Sequence, residues 1–323
     1  MSRSRVIVIT GASSGIGRET ALRFARAGET LVLASRRADA LRDLAEECER
    51  RGGTVLAVQT DVTVDTDVQR LADTTVATFG RIDVWVNNAS VSVLGAFDEV
   101  PLDDFRRIID VNLMGYVHGA RSAMRVFRAQ ESGTLVNVSS IIGELPVPYM
   151  LSYSMAKAAV NALSMSLRQE LMLRGPRGVR VTTVMPASID TPFYRSSANY
   201  SGHVALPPPP VYPASIVAKA IDTASRHPRR QIVAGPTGSV FVRLHRVLPG
   251  LVEAQMAWLV HATRSAGGSQ PPTTGSIAHP AATDDATIGG GFHGRRKYAT
   301  RRLLFWGALI GGAAAIASRR SRS

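Results

Sequence analysis

The sequence is poor in several features on which particular classes of protein depend. It has one cysteine, Cys48, so no intramolecular disulfide is possible, and a reducing compartment fits this composition. No cluster of histidine and cysteine suggests a metal site, and we predict none. The apolar run in the opening MSRSRVIVIT is only ~5 residues long, shorter than a secretory signal requires. We therefore expect a cytoplasmic protein.

Acidic residues are also scarce, with 25 of them against 38 lysines and arginines and a formal net charge of +13. A charge of this size is typical of nucleic-acid-binding proteins, but its distribution argues against that function. Eight of the basic residues, and no acid, lie between Arg295 and the end of the chain, so the rest carries only +5. We therefore assign the basicity to a tail and predict no nucleic-acid partner.

Short apolar runs alternate with amphipathic stretches through most of the chain. The runs are rich in Val, Leu and Ile, which is typical of strands covered on both faces. They lie at 6–10, 30–35, 54–62, 82–89, 133–140, 179–186 and 230–234. Helical patterns lie at 15–28, 38–51, 65–79, 102–130, 152–174, 213–226 and 240–262, the last interrupted by Pro249. This order predicts an α/β fold with a doubly wound parallel sheet and helices on both faces.

The composition changes after residue 263. We predict one α/β domain over 1–263, a disordered linker rich in Gly, Pro, Ser, Thr and Ala over 264–294, and a flexible C-terminal extension that ends in a basic and apolar tail, 295–323. The tail contains LLFWGALIGGAAAIA at 303–317, a run of 15 apolar residues with arginines on both sides.

That run is a candidate membrane anchor. At about 1.5 Å per residue a helix of this length reaches about 22 Å, whereas the hydrocarbon core of a bilayer is about 30 Å thick. Snorkelling arginines and local thinning of the bilayer would close the gap. The alternative is an apolar helix docked on the body of the protein or on another subunit.

A glycine-rich loop joins the first predicted strand to the first predicted helix, in VIVITGASSGIG. Gly11, Gly15 and Gly17 allow a tight turn and a close approach of backbone to a ligand. The helix that follows offers free N–H groups to a pyrophosphate, and Ser13 and Ser14 add hydroxyl donors. Placement between strand and helix favours dinucleotide binding over a plain glycine-rich turn.

The end of the second predicted strand bears on the choice of cofactor. An acid at this point would bind the 2′-hydroxyl of NAD, but LVLASRRAD has Ser35 there, followed by Arg36 and Arg37. An arginine can pair with a 2′-phosphate, and the missing carboxylate removes a repulsion. The sequence therefore favours NADP(H) over NAD(H). The alternative is a pair of solvated arginines at the start of a helix.

Tyr153 and Lys157 lie four residues apart in a predicted helix, SYSMAKAAVNALS, and so share one face. Reduction of a carbonyl requires a proton at oxygen as hydride reaches carbon. A tyrosine hydroxyl with its ordinary pKa of about 10 rarely ionises at neutral pH, but a nearby ammonium and an oxidised nicotinamide both favour the phenolate. The pair is therefore a candidate general acid/base unit.

Together these motifs resemble those of the classical short-chain dehydrogenases/reductases. The shared pieces follow the order and spacing of that family: TGASSGIG (10–17), Asp61-Val62, NNAS (87–90), Asn112 in VNLMG, Ser140, YSMAK (153–157) and PASIDT (186–191). The resemblance implies a Rossmann-like domain, an active site at the carboxyl ends of the strands, a nicotinamide cofactor and hydride transfer at a carbonyl or carbinol carbon. Two positions depart from the family pattern, where Ser90 and Ala187 replace glycines.

The resemblance also implies roles for single residues. Tyr153 is the expected general acid/base and Ser140, rather than Ser139, the residue that holds the substrate oxygen. Asn112 is expected to support a water that connects Lys157 to solvent, and Lys157 to bond the nicotinamide ribose. The predicted cofactor-binding residues are Gly11, Ser13, Ser14, Gly15, Ile16, Gly17, Arg36, Asp61, Val62, Asn88, Ala89, Tyr153, Lys157, Pro186, Ile189 and Thr191.

We therefore predict an NADP(H)-dependent oxidoreductase that interconverts a carbonyl and a secondary alcohol. The segment 187–213, with Phe193, Tyr194, Tyr200 and a proline run, is expected to cover a lipophilic substrate. The resemblance suggests a homodimer or homotetramer packed through 102–130 and 152–174. The alternative is a non-catalytic dinucleotide-binding regulator on the same fold, since fold alone does not imply activity.

Overall fold

The structure is a computed structural model that describes residues 4–277, 279 and 286–292. Its strands are β1 (Val6–Thr10), β2 (Thr30–Ser35), β3 (Thr54–Gln59), β4 (Val84–Asn87), β5 (Val93–Leu94), β6 (Ser132–Val138), β7 (Gly178–Pro186), β8 (Ile189–Asp190), β9 (Ala198–Asn199), β10 (Tyr212–Pro213) and β11 (Gln231–Ala234). Seven of them form one parallel sheet in the order β11-β7-β6-β4-β1-β2-β3. The predicted parallel sheet is therefore confirmed.

Helices connect the strands and cover both faces of the sheet. They are α1 (Gly15–Ala25), α2 (Ala38–Arg50), α3 (Asp65–Phe79), α4 (Leu102–Ile109), α5 (Gly115–Ala129), α6 (Leu151–Arg174), α7 (Phe193–Ser196), α8 (Ala214–Arg226), α9 (Pro236–Val247) and α10 (Pro249–Ser265). Parallel strands require such crossovers, because the chain must return to the same edge of the sheet before each new strand.

The core lies on the two faces of the sheet. In β1, Ile7 and Ile9 pack towards α1 and α8, while Val6 and Val8 pack towards α3 and α5. Successive side chains of a strand point to opposite faces, so a strand of apolar residues contributes to both layers. Each such side chain, when fully buried, stabilises the fold by about 1.5–3 kcal/mol.

The predicted helix 102–130 differs in its middle. A π-helical turn, Asp110–Met114, separates α4 from α5 and carries Asn112. Such turns are rare and often lie at functional sites. The predicted break at Pro249 separates α9 from α10, because proline is well suited to the first turn of a helix.

The segment expected to be a disordered linker differs from that expectation where the structure describes it. Thr273 pairs its backbone with Asn199, and the side chain of Ile277 is only 1% exposed. Phe292 is also buried. The prediction of disorder rested on the low average hydrophobicity of the segment and gave no weight to Ile277 and Phe292. Their apolar side chains are buried, unlike those of a disordered linker.

No helix within the described part of the chain is long and apolar enough to cross a membrane. The stretch 303–317, predicted as a possible anchor, lies outside the described residues together with the rest of the tail, 295–323.

Candidate active site

The predicted site residues meet at the carboxyl edge of the sheet, around one cavity of about 320 Å³. All of the predicted cofactor-binding and catalytic residues line it except Gly17 and Asn112. The loops after β1, β2, β3, β4, β6 and β7 all open onto this edge, because the strands are parallel and end on the same side. Sequence positions far apart are thereby brought to one cleft.

The glycine loop after β1 approaches its neighbours too closely for any side chain. Gly11 has a φ of +65°, and a Cβ atom there would lie 2.6 Å from the Cα of Ala89. A Cβ at Gly17 would lie 2.2 Å from the carbonyl oxygen of Gly11. The side-chain amide of Asn88 donates to the carbonyl oxygens of Thr10 and Gly11. Asn88 thus braces the loop at its carbonyl oxygens, and Gly15 at the start of α1 lines the cavity.

Arginines line the part of the cleft that follows β2. Arg37 donates two hydrogen bonds to the hydroxyl of Ser13, at 3.0 and 3.2 Å, so this hydroxyl already accepts within the protein. Burial lowers the pKa of Arg36, with the charge of Asp61 acting in the opposite direction. Both arginines border the cavity.

Asp61 stays charged beside these arginines. Burial alone would raise the pKa of its carboxyl, but hydrogen bonds from the backbone and hydroxyl of Thr63, with the charges of Arg107 and Arg36, lower it below its ordinary value. Arg107 forms an ion pair with Asp61 at 3.2 Å. The sequence contained no local signal for Arg107, which lies 46 residues away on α4.

Lys157 is a fully buried cation. Its ammonium donates to the hydroxyl of Tyr116 and to the carbonyl oxygen of Val138, both at 3.0 Å. No salt bridge joins it to an acid in the described residues. Burial therefore lowers its pKa to about 7. Tyr116 is a residue of this site that the sequence motifs did not reveal.

Tyr153 is buried beside Lys157, but the charge relation between the two differs from our expectation. Burial raises the pKa of its phenol above the ordinary value, the nearby Tyr194 adds to the effect, and hydrogen bonds with Ser90 and Ser140 oppose it. The ammonium of Lys157 lies 5.5 Å from the ring centroid of Tyr153 and donates to Tyr116 instead. Burial is therefore the largest influence on the pKa of this phenol.

Ser139 and Ser140 have different surroundings although both follow β6. The hydroxyl of Ser139 donates to the carbonyl oxygen of Lys157 at 3.0 Å and so braces α6. The hydroxyl of Ser140 bonds the phenol of Tyr153 and, within the described part of the chain, accepts a long bond, 3.4 Å, from the backbone N–H of Ile142. Ser140 is thus the serine with a hydroxyl available beside the phenol.

Asn112 and Ser90 form a second connection to the phenol. The side chain of Asn112 accepts from the backbone N–H of Val91 and donates to its carbonyl oxygen, at 2.9 and 2.8 Å. Ser90 donates its hydroxyl to Asn112 at 3.1 Å and also interacts with Tyr153. Ser90, which the sequence marked only as a departure from the family pattern, therefore belongs to the site.

The other half of the cavity is mainly apolar. Phe193 packs edge-on against the ring of Tyr153, with 5.2 Å between their centroids. Tyr200, expected in this lining, bonds Asp104 instead and lies outside it. Helix α10 contributes a wall that the motifs did not predict. The main apolar lining residues are Val91, Leu94, Val147, Met150, Phe193, Leu206, Phe241, Met256, Leu259 and Val260.

Comparison with known proteins gives a consistent answer. The chain matches the family model of short chain dehydrogenases over residues 5–201. It is 34% identical to the uncharacterized oxidoreductase YxnA of Bacillus subtilis over 328 residues, covering 98% of this chain and 90% of that protein. It is 35% identical to 3beta-hydroxysteroid dehydrogenase 1 of Eggerthella lenta over 194 residues, covering 59% of this chain and 73% of that protein.

The fold is similar to that of solved structures. A short-chain dehydrogenase/reductase of Burkholderia phymatum, solved in complex with NAD, superposes with a TM-score of 0.70 and 30% identity, covering 77% of this chain and 95% of that one. The family model, the relatives and the cleft built around Gly11, Ser140 and Tyr153 agree. The chain therefore belongs to the short-chain dehydrogenase/reductase family of oxidoreductases.

Proposed function

We propose that the protein is an NADP(H)-dependent oxidoreductase that interconverts a carbonyl and a secondary alcohol, with Tyr153 as general acid/base. One observation carries the proposal. The phenol of Tyr153 lies where the glycine-loop side of the cavity meets the apolar side, with the hydroxyl of Ser140 beside it. A group in this position can exchange a proton with an oxygen whose carbon faces a nicotinamide.

The residues present fit a dinucleotide. Gly11 and Gly17 let the loop after β1 pack tightly on Ala89 and on itself, and the first turn of α1 has backbone N–H groups suited to a pyrophosphate. Arg36 would hold the 2′-phosphate and Asp61 the adenine side, with Thr191 near the nicotinamide amide. A bound nicotinamide would supply or accept the hydride.

Preference for NADP(H) rests on charge. Ser35 ends β2 where an acid would compete for the ribose hydroxyl, and Arg36 borders the cleft directly after it. A guanidinium forms a strong ion pair with the 2′-phosphate of NADP, whereas the 2′-hydroxyl of NAD is uncharged. The arginines are therefore proposed to select the phosphorylated cofactor.

The raised pKa of Tyr153 favours proton donation. At neutral pH the phenol stays protonated, which suits delivery of a proton to a carbonyl oxygen. Ser140 would hold that oxygen by donating a hydrogen bond and stabilise the charge that develops there. Lys157, held by Tyr116 and Val138, would then orient a ribose hydroxyl and supply positive charge near the phenolate that remains.

The substrate is proposed to be lipophilic. The walls around Tyr153 are apolar, and segment 187–213 adds Phe193 and a proline run to them. The matched protein of Eggerthella lenta is named as a hydroxysteroid dehydrogenase, which agrees with a large apolar alcohol or ketone.

A panel of ketones with both cofactors tests the proposal. NADPH consumption is measured on steroid-like, acyl-chain and small polar ketones, with Tyr153→Phe as the control. We expect faster turnover with NADPH than with NADH, a preference for apolar ketones, and loss of turnover in the variant. Dinucleotide binding without turnover over the whole panel would contradict an enzyme and favour the regulator.

A homodimer or homotetramer is part of the proposal. Helix α6 exposes Met155, Met165, Met172 and Leu173 to solvent in the single chain, and such a row of apolar side chains is suited to a subunit interface. Light scattering on Met165→Lys/Met172→Lys should give a smaller mass than on the wild type. An unchanged mass would exclude this helix from the interface.

We also propose that the protein is cytoplasmic and attached to a membrane through 303–317. The run is uncharged between arginines, and the match to YxnA covers 98% of this chain, so it extends into the tail. Deletion of 295–323 should reduce the membrane-bound fraction in cell extracts. An unchanged fraction would reject the anchor.

A further inference from the structure

The chain after α10 returns to the cleft and crosses it. We call residues 269–277 and 286–292 the strap. Its first part begins at Ser269, which bridges to His203, and continues with Thr273, which exchanges two backbone hydrogen bonds with Asn199 at 2.7 and 3.0 Å. Ser276 then donates to the carbonyl oxygen of Ser196 at 2.8 Å. The first part is thus held along the segment that covers the substrate side.

The first part ends at the residues proposed for the adenosine. Arg36 donates to the carbonyl oxygens of Ser276 and Ile277, at 2.9 and 3.4 Å. Arg107, the ion-pair partner of Asp61, also donates to the carbonyl oxygen of Ile277 at 3.4 Å. The side chain of Ile277 is buried next to these bonds. Strap carbonyls thus accept from the guanidinium assigned to the 2′-phosphate.

The second part reaches the glycine loop. The backbone N–H of Gly15, the first residue of α1, donates to the carbonyl oxygen of Thr287 at 2.8 Å. A helix N-terminus is where a pyrophosphate would accept such bonds. One N–H makes one good hydrogen bond, so Gly15 cannot serve Thr287 and a phosphate at the same time.

The second part is anchored at the nicotinamide end. A carboxylate oxygen of the buried Asp190 accepts from the backbone N–H groups of Gly290 and Phe292, at 2.8 and 2.9 Å. The ring of Phe292 packs edge-on against Tyr194, with 6.2 Å between centroids. Charge-assisted bonds to a buried carboxylate are stronger than neutral ones, so this contact holds the strap near Thr191.

We propose that the strap is an internal occupant of the dinucleotide cleft, and that the cofactor displaces it to bind. The strap contacts the adenosine and pyrophosphate ends of the cleft through backbone carbonyls, and the nicotinamide end through backbone N–H groups that donate to the buried carboxylate of Asp190. Its carbonyls accept from donors that phosphates would use. Every dinucleotide that enters must therefore break strap contacts, so the affinity for the cofactor depends on how firmly the strap is held. The proposal rests on the proposed function, because it assumes that NADP(H) binds here.

Two neighbouring glycines allow a matched test in the full-length protein. A Cβ atom at Gly290 would lie 2.2 Å from the carbonyl oxygen of Thr191 and 2.6 Å from the ring of Phe292. A Cβ at Gly289 would meet only an oxygen of Asp190 at 3.7 Å, an ordinary contact. Gly290→Ala should therefore detach the second part of the strap, and Gly289→Ala should leave it in place. Ile277→Ser weakens the first part independently.

The readout is the dissociation constant for NADPH, measured by the fluorescence of the bound cofactor. We expect Gly290→Ala and Ile277→Ser to bind NADPH about two- to tenfold more tightly than Gly289→Ala, as the loss of a competing hydrogen bond predicts. Equal or weaker binding in both variants would overturn the proposal. If all variants bind NADPH equally, only the strap proposal is contradicted. If no variant binds NADPH or NADH, the proposed function is contradicted as well.

Hydrogen exchange on the wild type gives a second measurement that needs no variant. If the cofactor displaces the strap, saturating NADPH should speed exchange at the amides of Gly290 and Phe292 while slowing exchange in the loop after β1. Slower exchange, or no change, at Gly290 and Phe292 would overturn the proposal even if the variants failed to fold.

Discussion

The dinucleotide side and the substrate side of the cavity differ in how their walls are made. The dinucleotide side is formed by short loops that directly follow β1, β2, β3 and β4, and close backbone contacts such as Gly11 to Ala89 set its shape. The substrate side is formed by segment 187–213, α9 and α10, with apolar side chains such as Phe193, Met256 and Leu259. One side depends on backbone geometry and the other on side-chain packing.

This difference has a physical consequence. A wall of backbone at strand ends tolerates few substitutions, since one added methyl group at Gly17 would meet a carbonyl oxygen at 2.2 Å. A wall of apolar side chains can change its shape through single substitutions while the fold persists. A single substitution should therefore change either the cofactor preference or the substrate preference of this protein, and not both.

The largest effect should come from Tyr153, where the two sides meet. Tyr153→Phe should lower kcat by about a thousandfold, because it removes the proton donor, while the dissociation constant for NADPH stays within about twofold of the wild type. Steady-state kinetics and equilibrium binding measure the two quantities. Tyr212→Phe, which removes a hydroxyl bonded to Thr237, is the matched control. A parallel loss of binding would contradict a role of the phenol limited to proton transfer.

Arg36→Asp should change the dinucleotide side only. We expect the ratio of kcat/KM for NADPH to that for NADH to fall by about thirtyfold, because a charge-assisted bond to the phosphate becomes a repulsion. The ketone preference should stay as it was. Arg42→Asp, at an exposed position of α2, makes the same charge change away from the cleft. An unchanged cofactor ratio would exclude Arg36 from phosphate recognition.

Leu259→Ala should change the substrate side only. The lost side chain lines the cavity on α10, so kcat/KM for large apolar ketones should fall about tenfold, while small ketones and NADPH binding are little affected. Val247→Ala, on the exposed face of α9, is the control for a similar loss of apolar surface. Equal losses with small and large ketones would indicate damage to the fold rather than to a substrate wall.

Ser90→Ala should give the smallest change in activity, and it tests how the pKa of Tyr153 is set where the two sides meet. The bond between Ser90 and Tyr153 lowers the pKa of the phenol, so its loss raises that pKa. Alcohol oxidation needs the phenolate and should slow about threefold at a fixed pH below that pKa, whereas ketone reduction, which needs the phenol, should not slow. The pH profile of kcat/KM in both directions measures this, with Ser92→Ala as the neighbouring control. An equal slowing of both directions would contradict a role in setting the pKa.

The residues that could be predicted from the sequence share one property. Gly11, Asn88, Ser140 and Tyr153 lie in short motifs beside strand ends or on one helical turn, so local spacing determines where they lie. The bond from Lys157 to Tyr116 could not be predicted in this way, because 41 residues separate them. The packing of α6 against the π-helical turn Asp110–Met114, just before Tyr116, brings them together.

The differences from expectation have equally specific causes. The expected lowering of the pKa of Tyr153 considered charge and neglected burial, which is the larger influence in the protein alone. The expectation of a disordered linker at 264–294 relied on average composition, whereas Ile277 and Phe292 are buried in the described part of that segment. Tyr200 was assigned to the lining because it is aromatic, but Asp104 on α4 holds its hydroxyl elsewhere.

The buried ammonium of Lys157 makes the free energy of unfolding depend on pH. Below about pH 7 Lys157 is protonated in both the folded and the unfolded chain, so burial of its charge lowers the free energy of unfolding by the full amount. Between about pH 7 and the ordinary lysine value of 10.5 the folded chain gives up the proton first, so the free energy of unfolding rises as the solution becomes more alkaline. Denaturant titrations of wild type and Lys157→Met at pH 7 and pH 9 should show a gain of about 2 kcal/mol in the wild type alone.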